Sequence, residues 1–341
     1  MSRMWPWLRV LVAVVILVVL VWRLGTGAFV DGFRLVDGPA VLAALAIGLL
    51  TTVFGVWRWR LLARRLGLPL PVLTAVADYY RALFLNAVLP AGVLGDAHRA
   101  LRHGRSAGDV GRGVRAVVLE RTAGQVVLIG AGVIALLIEP SLAATMAHAV
   151  LPGLGITIVL LGGLAAAAAL AAWAWRRRDV PRWRRAVSAA VADARRGLLA
   201  RDAWPGVLGL SALVLLGYVA MFVVAARTAG SAAPVGRLLP LALLALLVMA
   251  LPVNVGGFGP REAFSALAFG AVGLGAQQGL TTAVVYGVLA FVASLPGAVV
   301  LLLRRGTRPA GHALPAEDRE IVAERPDQAV ENGLSLARRS Q

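Results

Sequence analysis

Two eleven-residue stretches, LPAGVLGDAHR from Leu89 and LPVNVGGFGPR from Leu251, share the pattern L-P-x-x-V-x-G-x-x-x-R without a gap. Leu89, Pro90, Val93, Gly95 and Arg99 pair with Leu251, Pro252, Val255, Gly257 and Arg261. Proline ends a helix and glycine lets the backbone turn tightly, so Pro90, Gly95, Pro252, Gly256, Gly257 and Gly259 read as helix breaks. A new helix should start after each break, with Asp96 as a cap of one and Pro260 in the first turn of the other. A helix start presents unpaired N–H groups and the positive end of the dipole. Arg99 and Arg261 add fixed charge there. An anion is the natural ligand, and the planar guanidinium fork suits phosphate. Asp96 and Glu262 would partly neutralise the two arginines. Asn86 and Asn254 are weaker candidates that could bond backbone freed at the breaks. Glu120 and Arg121 are a further internal pair. Neighbours cannot share one helix face, so Arg121 is expected to look into the bundle and Glu120 elsewhere.

The elements that must carry these residues are membrane helices. Hydrophobic residues make up 59% of the 341, against about 45–50% in a soluble chain. The excess gathers in six runs near 8–24, 39–57, 116–138, 150–174, 205–226 and 279–303, each near the ~20 residues a bilayer core requires. All 34 basic residues are arginine. They concentrate in 58–65, 96–115, 176–201 and the tail from Arg304, which places those segments and both termini in the cytoplasm. Two apolar stretches, 79–95 and 238–275, do not fit as simple spans. The run 238–251 covers only about 21 Å at ~1.5 Å per residue. Both read as re-entrant or broken helices, the first approached from the cytoplasm and the second from outside. Paired breaks entered from opposite sides are the pattern of an inverted repeat. Residues 176–203 hold an amphipathic cytoplasmic segment, with Trp183, Val187, Val191, Ala194 and Leu198 on one face. Residues 306–341, polar and mixed in charge, are expected to be a disordered cytoplasmic tail. The fold class is therefore an all-α polytopic membrane protein: one domain over 1–305, about six full spans and two broken helix pairs.

The same composition excludes several chemistries. A chain without lysine has no Walker A loop and no Schiff-base lysine. Without cysteine it has no disulfide and no thiolate site, and its four histidines form no HExxH motif. GAVGLG at 270–275 lacks the strand that a dinucleotide site needs. The net charge of +17 matches arginine-rich loops against anionic lipid, and no nucleic-acid partner is expected. A membrane glycosyl- or polyprenyl-phosphate transferase would need acids for a metal or a base. The first outward loop offers only Asp31 and Asp37, and the E-D-R-E run at 317–320 lies in the tail. No cofactor and no metal site is expected.

The segments YYRALFLNAVLPAGVLGDAHRALR, AVVLERTAGQVVLI and LPVNVGGFGPREAF resemble the signatures of the lysylphosphatidylglycerol synthase transmembrane-region family. The resemblance covers most of residues 5–305. Leu94-Gly95-Asp96 stands where the family usually has Gly-Gly-Asp, and Glu120-Arg121 where it often has Asp-Arg. The resemblance implies a flippase-like protein of the bacterial cytoplasmic membrane, moving a charged phospholipid or polyprenyl-linked precursor between leaflets. Some members carry a soluble aminoacyl-transferase domain. The 36 residues after Arg305 are too few for one, so a stand-alone membrane domain is expected, with a separate synthase or glycosyltransferase as a possible partner. A membrane-embedded glycosyl- or polyprenyl-phosphate transferase and a non-catalytic accessory role beside a separate synthase are the alternatives.

Overall fold

The computed structural model describes residues 34–89, 92–138, 140, 144, 180–197, 200, 202–249 and 260–304. These are helical and contain no strand. The helices are α1 (Gly38–Arg65), α2 (Val72–Val88), α3 (Leu94–Ser106), α4 (Val110–Ile138), α5 (Val180–Gly197), α6 (Trp204–Thr228), α7 (Val235–Met249), α8 (Pro260–Ala271), α9 (Ala276–Ser294) and α10 (Pro296–Arg304). The described residues up to Val300 form one compact unit; 301–304, the last turn of α10, belong to a second.

Four helical stretches are long and apolar enough to cross a bilayer: Gly38–Arg65, Val110–Ile138, Trp204–Thr228 and Ala276–Leu303. They coincide with four of the six expected spans. The runs at 8–24 and 150–174, and the tail 306–341, lie outside the described residues. Large apolar side chains face outward along these helices, among them Leu49 and Leu50 on α1, Ile134 and Leu137 on α4, and Leu216 on α6. Such faces suit acyl chains rather than water. The protein is a multi-pass membrane protein.

Local chemistry sets several helix ends. The Asp37 carboxylate accepts from the Ala40 N–H at 2.9 Å and Pro39 occupies the first turn, so α1 starts there. Gly67, at φ 73°, follows the C-cap of α1 in the left-handed region that glycine tolerates. The first expected break is an interruption between short helices, α2 ending at Val88 and α3 beginning at Leu94, although Gly95 already lies inside α3; the second expected break falls outside the described residues, between Met249 of α7 and Pro260 of α8. Pro90, Pro252, Asn254, Gly256, Gly257 and Gly259 lie outside the described residues.

The element order repeats: long span, two short helices, long span. Exchanging α1–α4 for α6–α9 maps the main helix contacts onto one another. The α1–α2, α2–α3, α3–α4 and α1–α4 contacts correspond to α6–α7, α7–α8, α8–α9 and α6–α9. Across the halves, α1–α9 corresponds to α4–α6 and α2–α9 to α4–α7, while α1–α6 maps onto itself. That central pair is antiparallel. Arg65 reaches Asp202 at 2.5 Å, Leu61 faces Gly206, Arg58 bonds Ser211 at 3.0 Å, and Thr51 packs on Gly217. The Arg65 hydrogen bond lowers the Asp202 carboxyl below its ordinary pKa. α5 lies outside the exchange and packs on α4 and α1, with its Asp193 buried against Arg115 at 2.6 Å.

Glycines let backbones approach closely within each half. A Cβ on Gly113 would collide with Gly104 and the Ala100 carbonyl, tying α4 to α3. A Cβ on Gly279 would strike the Ser265 carbonyl and Phe269, tying α9 to α8 in the same way. At the first break, a Cβ on Gly95 would meet the backbone of Ala82. Gly95→Ala therefore forces α2 and α3 apart and should destabilise the protein by about 1–3 kcal/mol, the cost of overpacking. Thermal unfolding in detergent would measure it; an unchanged midpoint would mean the hairpin is not closely held.

A buried ionic cluster at the first helix break

The first break opens onto a cluster of charged side chains from α1, α3 and α4, joined by polar ones from α2 and α6. At its centre is Glu120, which is fully buried. Its Oε1 accepts from Arg58 Nε at 3.1 Å and from Arg58 Nη2, and its Oε2 accepts from Arg99 Nη2 at 3.0 Å. The Tyr79 hydroxyl lies 3.4 Å from the same Oε1. Arg58 also donates to Ser211 Oγ on α6 at 3.0 Å.

The second acid, Asp96, sits in the first turn of α3. Its Oδ1 accepts from Arg99 Nη2 at 2.9 Å. Its Oδ2 accepts from Asn86 Nδ2 at 2.9 Å and from Arg121 Nη2. Asn86 in turn accepts the Gly95 N–H at 2.8 Å, so it closes the tip of the α2–α3 hairpin. Arg99 is 1% exposed and stacks between Trp59 and Tyr79, with its guanidinium carbon 4.5 Å from each ring centroid.

Three arginines and two acids leave one positive charge in excess within this group. Arg58 and Arg99 are buried and committed to Glu120. Arg121 differs: its side chain is 43% exposed while its partner Asp96 is 12% exposed. It is the twelfth residue of the 29-residue α4 and the sixth of the apolar run 116–138.

Several sequence expectations are revised here. Asp96 does not cap α3: Val93 holds the cap position without a side-chain bond, and Asp96 pairs with arginines instead. Arg99 is not open to a headgroup, because its surroundings are protein on every side. The Glu120–Arg121 assignment is reversed, with Glu120 innermost and Arg121 half exposed. Asn86 does bond freed backbone, as expected, and binds Asp96 as well.

Arg261 and Glu262 form a second group. Arg261 Nε donates to Glu262 Oε1 at 3.0 Å, its Nη1 lies 3.8 Å from Met249 Sδ, and it sits 5.1 Å from the Tyr286 ring centroid. Both are buried. Tyr218 on α6 lies within electrostatic reach of Arg58, Tyr79 and Arg121 in the first group and of Tyr286 in the second. The glycine contacts fix the register of the two halves. Gly113 on Ala100 and Gly104 corresponds to Gly279 on Ser265 and Phe269. On that register Ala100 aligns with Ser265 and Gly104 with Phe269, so Arg261 aligns with Asp96 rather than with Arg99.

Arg58, Tyr79 and Ser211 escape the sequence reading. Arg58 is the first arginine after the apolar run 39–57, and it stands two residues from Arg60, so the two cannot share a helix face. That spacing was the available signal: Arg60 donates to the Leu70 carbonyl at 2.9 Å while Arg58 turns to Glu120.

No curated protein and no solved structure matches the chain. A family model, lysylphosphatidylglycerol synthase TM region, matches residues 7–297, which include the cluster and both pairs of short helices. The chain belongs to the lysylphosphatidylglycerol synthase TM region family, and is thus a membrane protein of a family linked to lipid synthesis or transport.

Proposed function

We propose that this protein is a non-enzymatic lipid translocase of the bacterial cytoplasmic membrane, carrying an anionic phospholipid or a polyprenyl-linked precursor between leaflets. The observation that carries the reading is the arginine-excess cluster at the first break, with the half-exposed Arg121 inside the apolar run of α4. Polar charge within a span marks a pathway or a binding site. A phosphodiester headgroup matches the guanidinium fork, and its acyl chains can stay in lipid while the head crosses.

The architecture supports the same reading. α1 and α6 are exchanged by the repeat and run antiparallel, so a two-fold axis relating them lies across the helices, in the membrane plane. We read this as an inverted repeat, with a broken helix pair entering from each side. The arginine-rich segments and both termini then face the cytoplasm. A separate synthase or glycosyltransferase would supply or consume the lipid.

Reconstitution into liposomes with fluorescent phosphatidylglycerol and phosphatidylcholine tests this reading. The anionic lipid should cross faster than in protein-free liposomes and faster than the zwitterionic one. Equal crossing with and without protein would refute translocation. Formation of a new lipid product by the pure chain from nucleotide sugars would instead assign it to the transferases.

A further inference from the structure

We propose that Asp96 is a built-in counter-anion for Arg121, and that an arriving headgroup phosphate takes Arg121 from it and so unlatches the tip of the α2–α3 hairpin. The proposal rests on the translocase reading and specifies how its site responds to the ligand. Asp96 is the joint of this part of the molecule. One carboxylate oxygen holds Arg99, and the other holds Asn86 and Arg121. Through Asn86 it reaches the Gly95 N–H, where the chain re-enters helix after the break. Through Arg121 it reaches α4, a full span.

The bonds around Asp96 are unequal in accessibility. Arg99 is enclosed by Trp59 and Tyr79 and also bonded to Glu120, so no ligand reaches it without unpacking α1. Arg121 carries a 43% exposed side chain and only its inner end touches Asp96. A phosphodiester approaching from lipid therefore meets Arg121 first. It offers the same two-oxygen geometry that Asp96 presents, so the two anions compete for one guanidinium. A second anion beside Asp96 also raises the local negative charge, which favours separation of Asp96 from the ligand-bound arginine. Loss of the Arg121 bond leaves the hairpin tip joined to α4 only through Arg99 and Glu120 among the contacts described.

Two measurements test the latch. The first is binding of fluorescent phosphatidylglycerol to purified protein in a neutral detergent. Asp96→Asn should tighten it about tenfold, since removing a charged competitor is worth roughly one charge-assisted hydrogen bond. Arg121→Ala should weaken binding, and adding Asp96→Asn to Arg121→Ala should bring no gain. An unchanged or weaker affinity in Asp96→Asn, or a gain that survives without Arg121, overturns the latch. If Arg121→Ala binds phosphatidylglycerol as tightly as the native protein, the headgroup site itself is wrong, and the translocase reading loses its support. The second measurement needs no change at Asp96. The chain has no cysteine, so Leu94→Cys places one thiol label at the start of α3, where Leu94 is exposed. Phosphatidylglycerol should speed maleimide labelling of that thiol severalfold, and phosphatidylcholine should not. No change on phosphatidylglycerol binding, or equal acceleration by both lipids, overturns the proposal.

Discussion

Glu120→Ala is expected to destabilise the folded protein by about 3–5 kcal/mol, more than any other single change in the cluster. The carboxylate is fully buried and accepts from two buried arginines. Arg58 would keep only its bond to Ser211, and Arg99 only its bond to Asp96. Removing one partner of a buried ion pair leaves the other charge uncompensated, and that loss costs about 3–5 kcal/mol. Glu120→Gln keeps the shape and one acceptor oxygen but not the charge, so it should fall between alanine and the native protein. The variants would be compared by thermal unfolding in one detergent. A Glu120→Ala midpoint equal to that of the native protein would show that the arginines are neutralised in some other way.

Arg121→Ala should behave in the opposite manner: nearly native stability, and impaired lipid handling. Its side chain is 43% exposed, so truncation opens no large cavity. Asp96 keeps Arg99 and Asn86. What is lost is the one arginine of the cluster that a headgroup can reach, and a hydrogen bond to a charged group is worth about 1.5–3 kcal/mol. That corresponds to a weakening of roughly ten- to a hundredfold in headgroup affinity. Arg121→Lys should restore part of it, because lysine keeps the charge and loses the two-pronged fork. Lipid binding and unfolding measured on the same preparations separate the two roles. Strong destabilisation by Arg121→Ala would make it a structural residue like Glu120.

The spans were legible in the sequence because they depend on one property, the length of an apolar run. α1, α4, α6 and α9 follow directly from it. The first break was legible because proline and glycine act locally, whatever the tertiary context; the second lies outside the described residues. The inward face of each helix was harder to read. α4 is apolar on nearly every side, since lipid and protein interior ask for the same residues, and periodicity does not then say whether Glu120 or Arg121 points inward. Arg58 was hidden by its neighbours: within RWRLLARR it reads as one more cytoplasmic arginine, although it turns back into the bundle. The match of Arg99 with Arg261 came from aligning identities. Helix contact sets the register instead, through Gly113 and Gly279, and brings Arg261 into correspondence with Asp96.

The central claim is that an anionic headgroup crosses this membrane domain by way of Arg121. The most direct test is the rate at which fluorescent phosphatidylglycerol changes leaflets in liposomes carrying the native protein, Arg121→Ala or Arg121→Lys, with phosphatidylcholine run in parallel. The expected result is fast movement of phosphatidylglycerol with the native protein, a rate near that of protein-free liposomes with Arg121→Ala, an intermediate rate with Arg121→Lys, and slower phosphatidylcholine movement throughout. Phosphatidylglycerol movement by Arg121→Ala at the native rate would contradict it.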